Sequence, residues 1–160
     1  MTLYLVRHAL ALAKGSWAGL DSDRPLDAKG RKQVVGLTDW FAARRVDEVI
    51  TSPAVRCVAT VLPAANHHGV DLTTTRALLV GADKDARKLV RRLRKRAALG
   101  ERAFVVCTHG EVLPGILDAL GYDGGAVQHA KGSVWTVETR DGESKFNYEL
   151  PHPGDDPVLT

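Results

Sequence analysis

The chain has 160 residues, 44% apolar and 26% charged, a balance that suits one compact globular domain and excludes a disordered chain. Its only two cysteines, Cys57 and Cys107, exclude a disulfide scaffold and lack metal-type spacing, so they are expected as small buried apolar residues with no functional part. The net charge of +3 hides an asymmetry, because Lys84 to Arg96 alone carries +7 and leaves −4 for the remainder.

In chain order, Thr2–Val6 reads as a buried strand ending on Arg7-His8. No basic region precedes this apolar run, and it is too short to span a membrane, so a cytoplasmic protein is expected. Asp27 is the expected cap of a first helix running to about Arg44, with Val34, Leu37 and Phe41 inward. A strand at Glu48–Thr51 leads to a second helix with Ser52 as cap and Pro53 in its first position, ending near His68.

A weaker strand falls near Asp71–Thr73. The basic segment follows as a third helix whose Ala86, Leu89, Val90, Leu93 and Ala97 form one apolar stripe and leave the cations outside. That face is either merely solvated or meets an acidic partner; without interleaved aromatics, nucleic acid is not expected. A strand at Ala103–Cys107 precedes a fourth helix after Gly110, with Pro114 in its first turn, Val112, Ile116, Leu117 and Leu120 inward, and Gly121 as its stop.

Ser133–Thr139 and Lys145–Leu150 then read as a hairpin turning at Arg140-Asp141-Gly142-Glu143. The Pro- and Asp-rich tail 151–160 has no apolar period and is expected to be mobile. Alternating strands and helices predict a single-domain, three-layer α/β/α fold with a mainly parallel sheet over residues 1–150.

In open α/β sheets ligands bind beyond the carboxyl ends of the strands, and three strand ends here bring Arg7-His8, Arg56 and His109 to that edge. Guanidinium forks and nearby helix N-termini favour a phosphate or a carboxylate. Two imidazoles among cations favour chemistry on phosphorus, since neighbouring positive charge keeps the ring neutral and its lone pair free. Few acidic residues lie near these positions, so neither metal nor cofactor is expected.

The stretches LYLVRHALA, RPLDAKGRKQ, TSPAVRCVAT and VVCTHGEVLP resemble the successive motifs of the histidine phosphatase superfamily, above all its short SixA-like branch, from about residue 2 to 133. CTHGEVLPGIL and AKGSVWTVE also resemble the C-terminal phosphatase half of two-domain actinobacterial MutT-like nucleotide hydrolases. The resemblance implies a phosphoglycerate mutase-like fold, His8 as a nucleophile that becomes phosphorylated, and Arg7, Arg56 and His109 as its phosphate-binding partners. It places Arg24 near the site, where a loop salt bridge is the alternative, and Lys14, Lys131 and Gly110 with the substrate. Trp17 either stacks on a base or covers core.

Ala9 replaces the family's usual Gly, Cys57 a usual Ala and Ala59 a usual Gln, while Thr60 is retained. The general acid is open. No Glu stands in TRALLVGADKDA, so Glu111 is the nearest candidate, its alternative being a carboxylate suited to a helix N-terminus; Asp83 and Asp85 are weaker. The expected activity is hydrolysis of a phosphohistidine protein or of a small phosphorylated metabolite or nucleotide through a phosphohistidine intermediate. A mutase and a non-catalytic phospho-ligand-binding module are the alternatives.

Overall fold

The computed structural model describes residues 1–151; the expected mobile tail, apart from Pro151, lies outside the described residues. Six strands form one sheet in the order β3-β2-β4-β1-β5-β6: β1 Thr2–Arg7, β2 Glu48–Thr51, β3 Leu72–Thr74, β4 Ala103–Thr108, β5 Val134–Arg140 and β6 Glu143–Glu149. The first four pair in parallel, and β5 and β6 add an antiparallel edge.

Both faces of the sheet are covered, which is why β1 and β4 are unbroken apolar runs rather than alternating ones. Leu3 and Leu5 of β1, with Phe104 and Val106 of β4, pack toward helices α3 (Asp83–Ala97) and α4 (Leu113–Ala119). Tyr4 and Val6, with Val105 and Cys107, pack instead toward α1 (Ala28–Ala42) and α2 (Val55–His68). The period of two in each strand therefore splits the core into two layers.

Asp27 caps α1 as expected, its carboxylate accepting from Gly30 N at 2.7 Å. Gly30 is required for another reason: a Cβ there would lie 1.9 Å from the Leu10 carbonyl oxygen. Because that obstacle is backbone, Gly30→Ala is expected to destabilise the fold by about 2 kcal/mol, after about 1 kcal/mol of gained helix propensity is credited. A urea midpoint equal to or above that of the parent would contradict this.

The hairpin also forms at the expected turn. Asp141 (φ 51°) and Gly142 (φ 82°) both take the left-handed conformation that a two-residue turn with the strands' own twist requires.

The expected start of α2 is corrected. Ser52 caps nothing at a helix start: Ala54 is extended (ψ 135°), and the helix begins at Val55. The Ser52 amide is bound by the Cys107 carbonyl at 3.0 Å, so the chain is still paired to the sheet and needs two more residues to turn.

On α3, Ala86, Val90, Leu93 and Ala97 are buried and Leu89 is partly so. Three of its cations are engaged within the fold, Arg87 with Asp118, Arg96 with Glu48 and Arg94 with the Leu120 carbonyl. Lys84, Lys88, Arg91, Arg92 and Lys95 remain exposed. Among the described residues no helix is long and apolar enough to cross a membrane.

Candidate active site

The sheet order explains why distant sequence positions meet. β4 lies between β1 and β2, with Arg7 opposite Thr108 and Thr51 opposite Cys107, so the chain emerges from three adjacent strands at one edge. Arg7, His8, Arg56 and His109 stand there around a cavity of about 440 Å³. Lys14, Asp21, Arg24, Glu111 and Lys131 line it as well. Five cationic side chains thus face two carboxylates.

His8 is 6% exposed, and its Nδ1 lies 2.8 Å from the Ala9 carbonyl oxygen. A carbonyl can only accept, so Nδ1 carries the proton and Nε2 of the neutral ring keeps its lone pair. Burial pulls the ring down to about 3, against the raising effect of that hydrogen bond, and the neighbouring Arg56, His109 and Arg7 pull the same way as burial. The His8 and His109 rings are 5.6 Å apart between centroids.

His109 is oriented from behind. Its Nε2 lies 2.9 Å from Ser52 Oγ and its Nδ1 3.4 Å from Arg56 NH2. Arginine has no acceptor, so Nδ1 accepts in that contact and Nε2–H donates to Ser52. The pairing of Ser52 with Cys107 that displaced it from helix capping is what puts its hydroxyl under this ring.

Arg7 donates through NH1 to the His129 carbonyl at 2.6 Å and to His129 Nδ1 at 3.1 Å. Gly110 leaves room for it, since a Cβ there would lie 2.9 Å from Arg7 Cζ and Nε. The residue expected beside the substrate thus serves the arginine behind it.

Arg56 donates through NH1 to the Asp21 carbonyl at 2.9 Å and through NH2 to its carboxylate at 3.2 Å. Thr60 ties this corner to β1, donating to the Arg56 carbonyl at 2.6 Å and accepting from Ala9 N at 2.9 Å. The Nε atoms of both arginines, Arg7 and Arg56, are buried without a hydrogen-bond partner among the described residues. Such orphaned donors are costly unless an acceptor meets them.

Arg24 unites its two expected roles, bridging to Asp21 at 3.1 Å and to the Leu12 carbonyl at 2.6 Å while lining the cavity. Half-buried Lys131 is lowered by burial and then by Arg7 and Arg24, a sign of cations crowded together. Lys14 is exposed at the rim.

Glu111 lines the cavity but sits in a turn two residues before α4, not in that helix's first turn, because Gly110 to Val112 form a separate turn closed by Val112 N to the His109 carbonyl at 3.1 Å. Asp83 and Asp85 lie in the first turn of α3. Trp17 is folded over Gly19 and donates to the Leu20 carbonyl at 2.8 Å, shaping its own loop rather than facing the cavity.

The cysteines are buried as expected, yet not remote from the site: Cys57 Sγ lies 3.7 Å from His109 Nε2. Burial raises the Cys57 thiol, but contacts with Cys107 and His109 and the charge of Arg56 bring it below its usual value. Sequence reasoning missed Asp21, Ser52 in this role and His129. Only Asp21, three residues before Arg24, left a signal, the spacing of a turn-borne ion pair.

A family model described as the histidine phosphatase superfamily (branch 1) matches residues 3–79. Over that span the chain matches the histidine phosphatase superfamily. It is 31% identical over 152 residues to the 8-oxo-(d)GTP phosphatase of Mycolicibacterium smegmatis, with 89% of the chain aligned; the chain spans 45% of that relative's length. The fold matches the protein histidine phosphatase SixA complexed with tungstate at a TM-score of 0.77 and 19% identity, covering 92% of this chain and 94% of that one. It also matches the phosphoglycerate mutase of Bacillus anthracis at a TM-score of 0.78 and 13% identity, covering 95% and 93%. At such identities the structural likeness speaks for the α/β/α, phosphoglycerate mutase-like fold alone.

Proposed function

We propose that this domain hydrolyses phosphorylated ligands through a phosphohistidine on His8, without a metal. The observation that carries the reading is the His8 ring. With Nδ1–H committed to the Ala9 carbonyl, Nε2 offers a lone pair inside a cation-lined cavity. Nε2 attacks phosphorus as the bond to the leaving group breaks, and the leaving group takes up a proton. Water then attacks phosphorus, loses its proton, and returns the electron pair to Nε2.

Arg7 and Arg56 stabilise the phosphoryl oxygens in both steps, the unpartnered Nε atoms of the two arginines being donors suited to them, while His109, its Nδ1 against Arg56 NH2, braces that guanidinium. Arg24, Lys131 and Lys14 extend the positive field toward the rest of the substrate. Of the two lining carboxylates, Asp21 is engaged by two arginines, which leaves Glu111 as the group to protonate the leaving atom. Likeness to a nucleotide phosphatase supports nucleotides as substrates, and the resemblance of the four motifs to the SixA-like branch supports phosphohistidine proteins.

The test is phosphate release from an activated aryl phosphate in excess chelator, followed across pH. His8 stays unprotonated above about pH 3, so between pH 4 and 8 the only acid limb expected is the substrate's own second ionisation. Silence combined with retained phosphate binding would favour a binding module. An acid limb at the ordinary histidine value of about 6.5 would contradict the role given to His8.

A further inference from the structure

We infer that Asp21 is a positioning residue for Arg56, its carboxylate and its own main-chain carbonyl fixing which edge of the guanidinium faces the phosphoryl group. The inference rests on the phosphate-cradle reading of the site. Asp21 opens a short 3-10 turn, Asp21–Asp23, closed by Arg24 N to the Asp21 carbonyl at 3.1 Å. The turn is tied to the preceding loop through the bond of Arg24 NH1 to the Leu12 carbonyl at 2.6 Å.

From there a single residue takes one N–H from each terminal nitrogen of Arg56, at 2.9 Å and 3.2 Å. Its other carboxylate oxygen takes Arg24 Nε at 3.1 Å. A guanidinium has five N–H groups. With the outer edge held by Asp21 and NH2 also 3.4 Å from His109 Nδ1, the donors left are the buried Nε on the NH2 side and one N–H of NH1 on the opposite side, so the hold on Asp21 decides which of them meets the phosphoryl group.

A rival account makes Asp21 an internal anion that a phosphate must displace. The main-chain bond argues against it, because leaving Arg56 requires the whole turn to move and not one side chain to rotate. Asp21 is also 58% exposed on its side chain, and ion pairs at such exposure add little stability, so its effect belongs in turnover rather than in melting.

The experiment measures kcat and KM of Asp21→Ala and Asp21→Asn on an activated aryl phosphate, with inorganic phosphate affinity and melting temperature alongside. Asp21→Ala is expected to lower kcat about 10- to 100-fold, the loss a misplaced group produces, with KM changed less and melting unchanged. Asp21→Asn recovers part of the loss, since its amide oxygen still accepts. In an Arg56→Ala background, Asp21→Ala adds no further loss.

Undiminished kcat in Asp21→Ala, tighter phosphate binding without loss of rate, or additive losses with Arg56→Ala would overturn the inference while the phosphatase reading stands. A wild type that neither hydrolyses the ester nor binds phosphate removes that reading and the inference with it.

Discussion

His8→Ala is expected to lower kcat on an activated aryl phosphate by on the order of 10⁴-fold or more, the scale seen when a covalent nucleophile is deleted. The size follows from the geometry. His109, the other histidine lining the cavity among the described residues, has Nε2 turned away onto Ser52 and Nδ1 against Arg56, so it has no comparable lone pair to substitute. Phosphate affinity should change far less than kcat, because the two arginines remain. Rates within about tenfold of wild type would show that phosphorus is attacked by something else.

Arg56→Ala is the second large effect, a fall of about 10²- to 10³-fold in kcat, comparable to loss of one preorganised donor to transition-state charge. Arg56→Lys should recover little of it. A lysine keeps the charge, but it cannot donate to the Asp21 carbonyl, the Asp21 carboxylate and a phosphoryl oxygen from one rigid plane. The contrast with His8→Ala lies in the second step: with His8 in place, the Arg56 variant should still form the phosphoenzyme, slowly, and hydrolyse it slowly. Single-turnover measurements separate the two. A full rescue by lysine would mean that charge alone matters and that the fork geometry does not.

The fold was legible where local chemistry and tertiary demand agree. Asp27 caps α1, Asp141-Gly142 turns the hairpin, and the apolar stripe of α3 is buried, because each is decided within a few residues of sequence. The strand ends carrying Arg7-His8, Arg56 and His109 could be placed at one edge since parallel α/β sheets gather their carboxyl ends there. What escaped was decided across long distances. Ser52 has the right identity and place for a cap, but pairing with Cys107 from β4 delays the helix and hands its hydroxyl to His109.

Gly110 follows the same logic, its meaning being the bulk of Arg7 packed against it, and Cys57 lies against a histidine 52 positions away. Glu111 was placed one turn too far into α4, since nothing local distinguishes a helix's first turn from a separate turn leading into it. Asp21 was passed over because an aspartate in a polar loop reads as solvent-facing, and only the partner 35 residues on gives it a task.

The measurement that bears most directly on the central claim is rapid-quench trapping of the enzyme during turnover of an activated phosphoryl donor, in excess chelator, with the modified residue mapped by peptide mass spectrometry. One acid-labile, base-stable phosphoryl group on His8, absent from His8→Ala and formed and lost at rates that account for kcat, is the predicted result. Turnover with no phosphoenzyme, or a phosphoryl group mapped to His109 or to a carboxylate, would contradict it.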